Sequence, residues 1–458
     1  MAGKRPNKAG AHGKDDKRPP GQQATYFLSL SLENVRCFGP KQTLDLSDGK
    51  GAPAQWTILL GENGTGKTTV LQSLVALATD ARLGLKREDW HPRGWEWAGA
   101  NSLIDLARGS SELPSCLEAK IAYGRKLSAT DAGFLHAECS LEIREWPGVS
   151  ESSILENDPP PPSPYGYGAA RRLSSSSLSE PEVSDQAASL LSDKGDLRNA
   201  EEWLLRLDYS ASKSSERQQQ QRLQQVKNLL NAVLPDVEEI RFNPSTGVFP
   251  NPRVEFHTPY GWVPLRSLGY GYQTLIAWMV DFASRMVERY PDSADPLAEP
   301  AVVLVDEIDL HLHPQWQRKL IGHLTDHFPN TQFIVTAHSP LVVQAAKDAN
   351  IALLRREGDH VVIDNDLKAI RGWRIDQIYT SDLFGLESAR PPELDAPMKR
   401  RVEILSKSKL SEADKRELKE LEAQIGDLPV GETPEDIRTM QLLRESLDLL
   451  KDARKQAQ

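Results

Sequence analysis

The stretch WTILLGENGTGKTT, residues 56–69, runs from an apolar segment directly into a loop with three glycines and one lysine. Glycine adopts backbone conformations that other residues avoid, so such a loop can turn its N–H groups toward oxygen atoms. The spacing Gly61-x4-Gly66-Lys67-Thr68 is that of a P-loop, in which the lysine reaches the β and γ phosphates and the threonine hydroxyl binds Mg²⁺. Helical spacing of apolar residues after Thr69 completes the order strand, loop and helix.

A second motif supplies the acids that a nucleotide-bound metal needs. PAVVLVDEID, residues 300–309, is a nearly continuous apolar run that ends in acids, which is typical of a strand buried on both faces of a parallel sheet. We expect Asp306 to hold Mg²⁺ through a water molecule. We expect Glu307 to orient and deprotonate the attacking water. The alternative interpretation is a pair of surface acids at a strand end.

Two further segments carry candidate phosphate contacts. His338 ends the strand-like run QFIVTAH and is expected to hydrogen-bond the γ phosphate, while capping of the next helix is better assigned to Ser339. SLGYGYQ, residues 267–273, opens a long apolar helix whose free N–H groups predict a second anion site. We expect this second site to serve the nucleotide of another subunit.

These motifs resemble those of the ABC-type ATPases, and within them the soluble group of RecF, SMC and OLD-like proteins. Asn63-Gly64-Thr65 is similar to the interior of that superfamily's P-loop, and LSLENVRCFG, residues 30–39, resembles its first strand. DEIDLHLHP and the later TAHSP resemble its Walker B motif, D-loop and switch histidine. The resemblance covers residues 26–345. It implies a head-to-tail dimer that sandwiches two ATP molecules.

The resemblance also implies residue roles, and two positions depart from its pattern. SLGYGYQ stands where the superfamily has its signature motif, LSxG. When Gly271 is aligned with the glycine of that motif, Gly269 stands in place of its serine, unless Ser267 substitutes. In addition, no glutamine lies between Gln72 and Gln186 to act as the Q-loop residue. By position, the implied roles are ATP contacts from Asn63, Gly64, Thr65, Gly66, Lys67, Thr68 and Thr69, Mg²⁺ ligation by Thr68 and Asp306, catalysis by Glu307 and His338, and a contact in trans from Gly271.

The alternation of strands and helices, with the resemblance, predicts an α/β fold: a P-loop NTPase with an ABC-type ATPase head, a β-rich subdomain and a helical C-terminal extension. The Pro, Ser and Gln tracts between residues 147 and 222 predict loops interrupted by short helices. Arg171 and Arg172 in that segment either contact phosphate or DNA, or are solvated linker charges. The predicted divisions are a disordered basic tail (1–24), the ATPase head (25–146 and 236–385), a partly disordered insertion with short helices (147–235) and a helical C-terminal region (386–458).

Composition narrows the class of protein. The chain has 458 residues, no run that approaches 18 apolar residues, and a basic start without the apolar core of a secretory signal, which predicts a cytoplasmic protein without a membrane partner.

The three cysteines suit neither a disulfide framework nor a CxxC metal site. His323 and His327 lie four residues apart, but Leu324 stands where a zinc-protease helix needs glutamate. A formal net charge of −10 does not favour DNA binding.

We therefore expect an ATP hydrolase that works as a nucleotide-gated homodimer or higher oligomer. The chain resembles ATPase subunits of prokaryotic antiphage defence systems such as Septu and PARIS, in which a separate nuclease protein is the effector. No TOPRIM or HNH signature is visible in the sequence. Two alternatives stay open: a RecF-like DNA-repair ATPase, and an ATP-gated scaffold that hydrolyses weakly and holds a partner effector, which Gly269 favours.

Overall fold

The computed structural model describes residues 24–83, 115–124, 126–128, 134–146, 149–154, 162–174, 186–193, 195–213, 217–234, 236–243, 252–365, 373–386, 388–407 and 410–425. It divides into two compact units, Met1–Ile378 and Tyr379–Gln458. Residues 1–23 of the predicted basic tail lie outside the described residues.

The elements follow in chain order. The strands are β1 (Thr25–Glu33), β2 (Gln42–Asp45), β3 (Trp56–Gly61), β4 (Ser115–Tyr123), β5 (Leu135–Trp146), β6 (Val149–Ile154), β7 (Tyr165–Tyr167), β8 (Glu239–Asn243), β9 (Arg253–Thr258), β10 (Gly261–Pro264), β11 (Ala301–Val305), β12 (Thr331–Thr336), β13 (Asn350–Glu357) and β14 (His360–Asp364). The helices are α1 (Lys67–Leu83), α2 (Ala188–Leu191), α3 (Ala200–Lys213), α4 (Arg217–Val233), α5 (Tyr270–Arg289), α6 (Pro314–His327), α7 (Pro340–Ala345), α8 (Ile375–Tyr379), α9 (Asp395–Leu405) and α10 (Glu412–Ile425).

The central sheet positions the motifs. Its strand order is β14-β13-β3-β12-β11-β7, and each neighbouring pair from β13 to β7 is parallel, while β14 is antiparallel to β13. Every residue of β11 and β12 is buried, as the apolar runs predict. Because carboxyl ends of parallel strands meet at the same end of a sheet, the loops after β3, β11 and β12 converge there.

Two antiparallel sheets accompany it among the described residues. One has the order β2-β1-β4-β5-β6, as expected for a β-rich subdomain, and the other has the order β10-β9-β8. The first sheet and the central sheet share a core with α1: Leu30, Leu59, Val70, Leu304 and Ile334 are all fully buried in one cluster. Burial of each such side chain stabilises the fold by roughly 1.5–3 kcal/mol.

Among its described residues, the segment 147–235 contains two strands in addition to helices such as those predicted for it. It contributes β6 to the antiparallel sheet and β7 to the edge of the central sheet, where Tyr167 pairs with Val305. It also forms α3 and α4, which are 14 and 17 residues long. The strand β7 was missed because three residues are too few to show a period of two, and the Pro and Ser tracts around it indicate loops.

The second unit contains a pair of helices. The guanidinium of Arg400 on α9 donates to both carboxylate oxygens of Glu417 on α10, at 2.6 and 3.0 Å. Both helices fall within the predicted helical C-terminal region, 386–458, of which residues 426–458 lie outside the described residues. No helix in the described part of either unit has the length and apolar character to cross a membrane.

Candidate nucleotide site

The P-loop joins β3 to α1 through a turn that only glycine fits. Gly66 has a φ of +82°, and a Cβ atom there would lie 2.4 Å from Cys37 Sγ. Helix α1 then begins at Lys67, and the first N–H groups of a helix have no carbonyl partner within it. Asn63 and Gly64 are exposed at the tip of the loop. The loop therefore presents donors for an anion at the positive end of α1.

Lys67 places a cation at the centre of this loop. It is only 7% exposed, and its Nζ donates to Gly61 O at 2.8 Å and to Glu62 O at 2.9 Å. Burial lowers the pKa of the Lys67 ammonium, while the carboxylates of Asp306 and Glu307 act in the opposite direction. The ammonium is thus close to the main chain of the P-loop and within the field of both acids.

A hydrogen-bond chain joins the P-loop to the acids after β11. Thr68 Oγ1 donates to Asp306 Oδ2 at 2.7 Å, and Thr336 Oγ1 on β12 donates to Asp306 Oδ1 at 2.6 Å. Thr336 Oγ1 in turn accepts from the Glu307 N–H at 2.7 Å. Both carboxylate oxygens of Asp306 are therefore fixed, one by the first turn of α1 and the other by β12. Thr336 was not singled out in the sequence, because its role depends on the pairing of β11 with β12.

The pair Thr68 and Asp306 fits an octahedral cation. Mg²⁺ binds oxygen at 2.0–2.1 Å, so adjacent oxygen ligands lie about 2.9 Å apart. The 2.7 Å hydrogen bond between Thr68 Oγ1 and Asp306 Oδ2 places the carboxylate within reach of an ion on Thr68, either directly or through a water molecule as expected from the sequence. One hydroxyl and one carboxylate are also the hard oxygen donors that Mg²⁺ prefers. These two residues could hold the ion.

Glu307 adopts a backbone conformation that is rare outside glycine. Its φ is +49°, in the left-handed region, and its side chain is partly exposed. Residues held there cost about 1–3 kcal/mol and persist where the surroundings fix them. Here the N–H is fixed by Thr336 Oγ1, and the carbonyl accepts from Arg171 Nη2 at 2.8 Å. The main chain of Glu307 is therefore fixed on both sides, by Thr336 at its N–H group and by Arg171 at its carbonyl group.

Arg171 is not the solvated linker charge that was one of the two interpretations of its sequence context; its guanidinium is buried against main-chain carbonyls and is not exposed toward phosphate or DNA. It is 2% exposed and donates to the carbonyl oxygens of Gly168, Asp306 and Glu307. Burial lowers the pKa of Arg171 to about 10, against the attraction of the nearby acids. The guanidinium therefore remains charged at neutral pH, behind the two acidic residues. The neighbouring Arg172 is exposed.

Arg36 is a second residue that the sequence analysis did not single out. It follows β1 with a φ of +44°. Its Nη1 donates to Gln72 Oε1 at 2.8 Å and to Thr69 Oγ1 at 3.3 Å, both on the first turns of α1. This adds a second cation beside the P-loop. The only signal was its place in the segment that follows the first strand.

His338 lies just beyond β12, at the same end of the sheet. Its side chain is exposed, and its backbone N–H donates to the Asp309 carboxylate, with the shorter distance of 3.1 Å to Oδ2. Burial raises the pKa of Asp309, and the His338 N–H opposes that shift. Ser339 caps α7 by accepting from the Leu341 N–H, so the prediction that assigned capping to Ser339 rather than to His338 is confirmed.

The signature turn, residues 268–273, packs against the loop that follows Asp306. Helix α5 begins after Gly269, which forms no side-chain cap. A Cβ atom on Gly271 would lie 2.4 Å from His311 O, so glycine is needed for this approach. Tyr270 stacks edge-on against His311, with ring centroids 4.8 Å apart. The contact that the structure gives Gly271 is thus within its own chain.

The chain is similar to known proteins over most of the region that carries this site. Residues 57–344 match the protein family described as "AAA domain, putative AbiEii toxin, Type IV TA system". The Septu protein PtuA of Bacillus mycoides (strain KBAB4) is 27% identical over 436 residues, covering 89% of this chain and 54% of that protein. The Retron Ec83 probable ATPase of Escherichia coli is 38% identical over 126 residues, covering 28% of this chain and 22% of that protein.

The chain therefore spans about half or less of the length of these relatives. Among solved structures, an SMC head bound to the C-winged helix domain of ScpA superposes with a TM-score of 0.44 and 16% identity, covering 74% of this chain and 97% of that chain.

Proposed function

The chain belongs to the family described as "AAA domain, putative AbiEii toxin, Type IV TA system", and from that premise we propose that it binds ATP with Mg²⁺ and hydrolyses it. The observation that carries this proposal is the hydrogen bond between Thr68 Oγ1 and Asp306 Oδ2, which joins the P-loop to the acidic end of β11. A glycine-rich turn alone, or a pair of strand-end acids alone, would not produce it.

We assign the phosphate contacts to main-chain and cationic groups. The N–H groups of residues 63–69 surround the phosphates at the positive end of α1. Lys67, whose ammonium now donates to Gly61 O and Glu62 O, transfers its hydrogen bonds to the β and γ phosphates when ATP binds. Arg36 adds positive charge beside the first turns of α1, where it donates to Thr69 and Gln72. Together these groups offset the charge of the triphosphate.

Thr68 and Asp306 hold the Mg²⁺ that accompanies the nucleotide. When bound, the ion would supply positive charge to offset that of the triphosphate, and Thr68 and Asp306 would be the residues that hold it. Thr336 keeps Asp306 in place through its other oxygen, at 2.6 Å. Removal of the ion should therefore weaken both ATP binding and turnover, without changing the fold of the P-loop.

Glu307 and His338 act on the far side of the γ phosphate. Glu307 accepts a proton from the attacking water and orients that water in line with the leaving group. His338, exposed beyond β12, hydrogen-bonds a γ oxygen and so distinguishes ATP from ADP. His338 follows β12, which is directly beside β3, and Glu307 follows β11, which is the next strand in the same direction.

A second copy of the chain completes the proposed site. Gly271, at the start of α5, presents free helical N–H groups to the γ phosphate bound by the other subunit. The Glu307→Gln variant should accumulate as an ATP-bound dimer, because hydrolysis no longer reopens it. Sedimentation velocity with ATP and Mg²⁺ measures this; a Glu307→Gln variant that stays monomeric at millimolar ATP would contradict the dimer.

For the biological role, we propose the ATPase component of an antiphage defence assembly whose effector, such as a nuclease, is a separate protein. The support is similarity to proteins named Septu protein PtuA and Retron Ec83 probable ATPase. A RecF-like DNA-repair ATPase is the alternative, and it predicts turnover that duplex DNA stimulates and that added salt suppresses. DNA without effect on turnover at low salt would count against that alternative.

Phosphate release from ATP tests the proposed activity. We expect the wild-type chain to release phosphate and Glu307→Gln to lose about 100-fold or more in kcat while still binding ATP. Glu357→Gln, the same change at an exposed position on β13, should turn over like the wild type. Equal, near-zero release from wild type and Glu307→Gln would instead support the weakly hydrolysing scaffold, which Gly269 in the signature turn favours.

A further inference from the structure

Arg171 stands at the end of a strand that runs beside β11. Strand β7 is parallel to β11, and Tyr167 O accepts from the Asp306 N–H at 2.8 Å. The turn after β7 therefore lies next to the turn that carries Asp306 and Glu307. Arg171 is 2% exposed in that position, while Arg172 beside it is exposed.

One guanidinium holds two successive carbonyl groups of the acidic turn. Arg171 Nη1 donates to Asp306 O and to Gly168 O, the latter at 3.0 Å, and Nη2 donates to Glu307 O at 2.8 Å. These carbonyls belong to the two peptide groups on either side of the Glu307 Cα atom. Because the orientations of those two peptide planes determine the Cα–Cβ direction, Arg171 controls where the Glu307 side chain points.

The backbone of Glu307 needs such support. Its φ of +49° is unfavourable for a residue with a Cβ atom, so the turn would relax if its hydrogen bonds were lost. Thr336 Oγ1 holds the N–H on one side, and Arg171 holds both carbonyls on the other. Arginine suits this task because its planar fork presents several donors in fixed directions, which the single ammonium nitrogen of lysine does not.

We propose that Arg171 is a positioning residue for ATP hydrolysis: it fixes the Glu307 turn so that the carboxylate faces the nucleotide, and thereby links the 147–235 segment to the reaction. This inference rests on the proposed hydrolytic function of Glu307. It also gives the turn after β7 a role in positioning Glu307. The sequence has no glutamine between Gln72 and Gln186 to act as a Q-loop residue. Arg171 contacts neither substrate nor metal itself; it acts through the main chain of Asp306 and Glu307.

Arg171→Lys tests the proposal, with Arg172→Lys as the matched control. Two quantities are measured: kcat and KM for ATP, and hydrogen–deuterium exchange of the nucleotide-free chain over residues 303–312 and 61–70. For Arg171→Lys we expect kcat to fall about 30-fold to 100-fold with KM within about threefold of wild type. We also expect faster exchange at 303–312 and unchanged exchange at 61–70. Arg172→Lys should match the wild type in all of these.

Several results would overturn the proposal. One such result is a kcat for Arg171→Lys equal to that of the wild type. Another is a fall in kcat together with an equally large rise in KM and faster exchange throughout the head, which would mean a general structural role. If Arg171→Lys does not fold, Arg171→Gln, which keeps two amide donors, replaces it. If neither folds while Arg172→Lys does, the residue serves the fold and not the position of Glu307.

The exchange measurement separates this inference from the proposed function. Should the wild type release no more phosphate than Glu307→Gln, the hydrolytic function fails. Faster exchange in Arg171→Lys, confined to 303–312, would then still support Arg171 as the group that fixes the turn. Unchanged exchange at 303–312 would overturn the positioning role whether or not the chain hydrolyses ATP.

Discussion

The cis half of the site, residues 61–69 with Asp306 and Glu307, and the signature turn, residues 268–273, are built in different ways. Side-chain hydrogen bonds hold the cis half: Lys67 to the P-loop carbonyls, and Thr68 to Asp306. In the signature turn, close packing of Gly271 against His311 O is combined with one neutral side-chain hydrogen bond, from Gln273 Nε2 to Leu268 O at 2.7 Å. The cis half thus has its charged and hydroxyl groups in place within one chain. The signature turn carries no charged side chain, and its two glycines offer main-chain donors alone.

The comparison predicts that substitutions in the cis half change ligand binding, whereas those in the signature turn change stability. Lys67→Ala should show the largest effect, because it removes a charge-assisted contact worth about 3 kcal/mol, or roughly 100-fold in ATP affinity. Isothermal titration with ATP and Mg²⁺ measures this. Lys319→Ala, an exposed lysine on α6, is the control and should bind like the wild type. Unchanged affinity in Lys67→Ala would mean that the P-loop does not grip the nucleotide.

Asp306→Asn should selectively remove the contribution of the metal. The substitution replaces one carboxylate oxygen by an amide nitrogen, so the side chain that faces the ion loses its negative charge. The hydrogen bonds with Thr68 and Thr336 can partly remain. We expect ATP affinity in the presence of Mg²⁺ to fall about tenfold, and affinity measured with EDTA to stay near the wild-type value. If Mg²⁺ enhances binding equally in the variant and the wild type, Asp306 does not serve the ion.

Gly271→Ala should act on stability rather than on affinity within the single chain. The new Cβ would lie 2.4 Å from His311 O, a backbone atom, so the helix start or the facing loop must shift. Such overpacking costs about 1–3 kcal/mol. Thermal unfolding should show a lower Tm, whereas Gly322→Ala, at an exposed helical position with nothing within 4 Å, should keep or raise it. A Gly271→Ala protein as stable as the wild type would show that the signature turn is not close-packed.

Gly269→Ser should have the smallest effect on stability, and it tests directly whether the signature turn contributes a hydroxyl in trans. The nearest atom to a Cβ there is Tyr272 Cδ2 at 3.7 Å, an ordinary contact, so serine fits. As the N-cap of α5 it should add a few tenths of a kcal/mol. If the turn works in trans, the added hydroxyl should also raise kcat at protein concentrations that favour the dimer. A more stable protein with unchanged kcat would argue against a trans contact at this position.

The sequence predicts the features of the fold and the site that depend on local patterns, and it does not predict those that depend on contacts between distant residues. The P-loop, the buried strand β11 and the strand β12 carry strong local patterns, and the family and P-loop ATPase fold that they predicted are confirmed. Short β7 carries none, so the burial of Arg171 was not foreseen. The contact of Gly271 with His311 depends on tertiary packing of α5 on a loop 40 residues away in sequence, which no local pattern encodes.

The site residues themselves stay predictions until a nucleotide is seen bound. The structure brings Lys67, Thr68, Asp306 and Glu307 into one hydrogen-bonded and electrostatic cluster, and it places His338 at the same end of the sheet. Their spacing in the chain, over 200 residues from P-loop to acids, shows why the sequence alone could name them but not their distances. Those distances depend on the parallel pairing of β3, β12 and β11.

The most direct test of the central claim is a crystal structure of Glu307→Gln with ATP and Mg²⁺ at millimolar concentration. The account predicts phosphates against the main-chain amides near Lys67, a metal ion on the Thr68 hydroxyl, and the side chain at position 307 directed toward the γ phosphate. It would be contradicted by a P-loop without nucleotide under those conditions, or by a position 307 side chain directed into bulk solvent away from the phosphates.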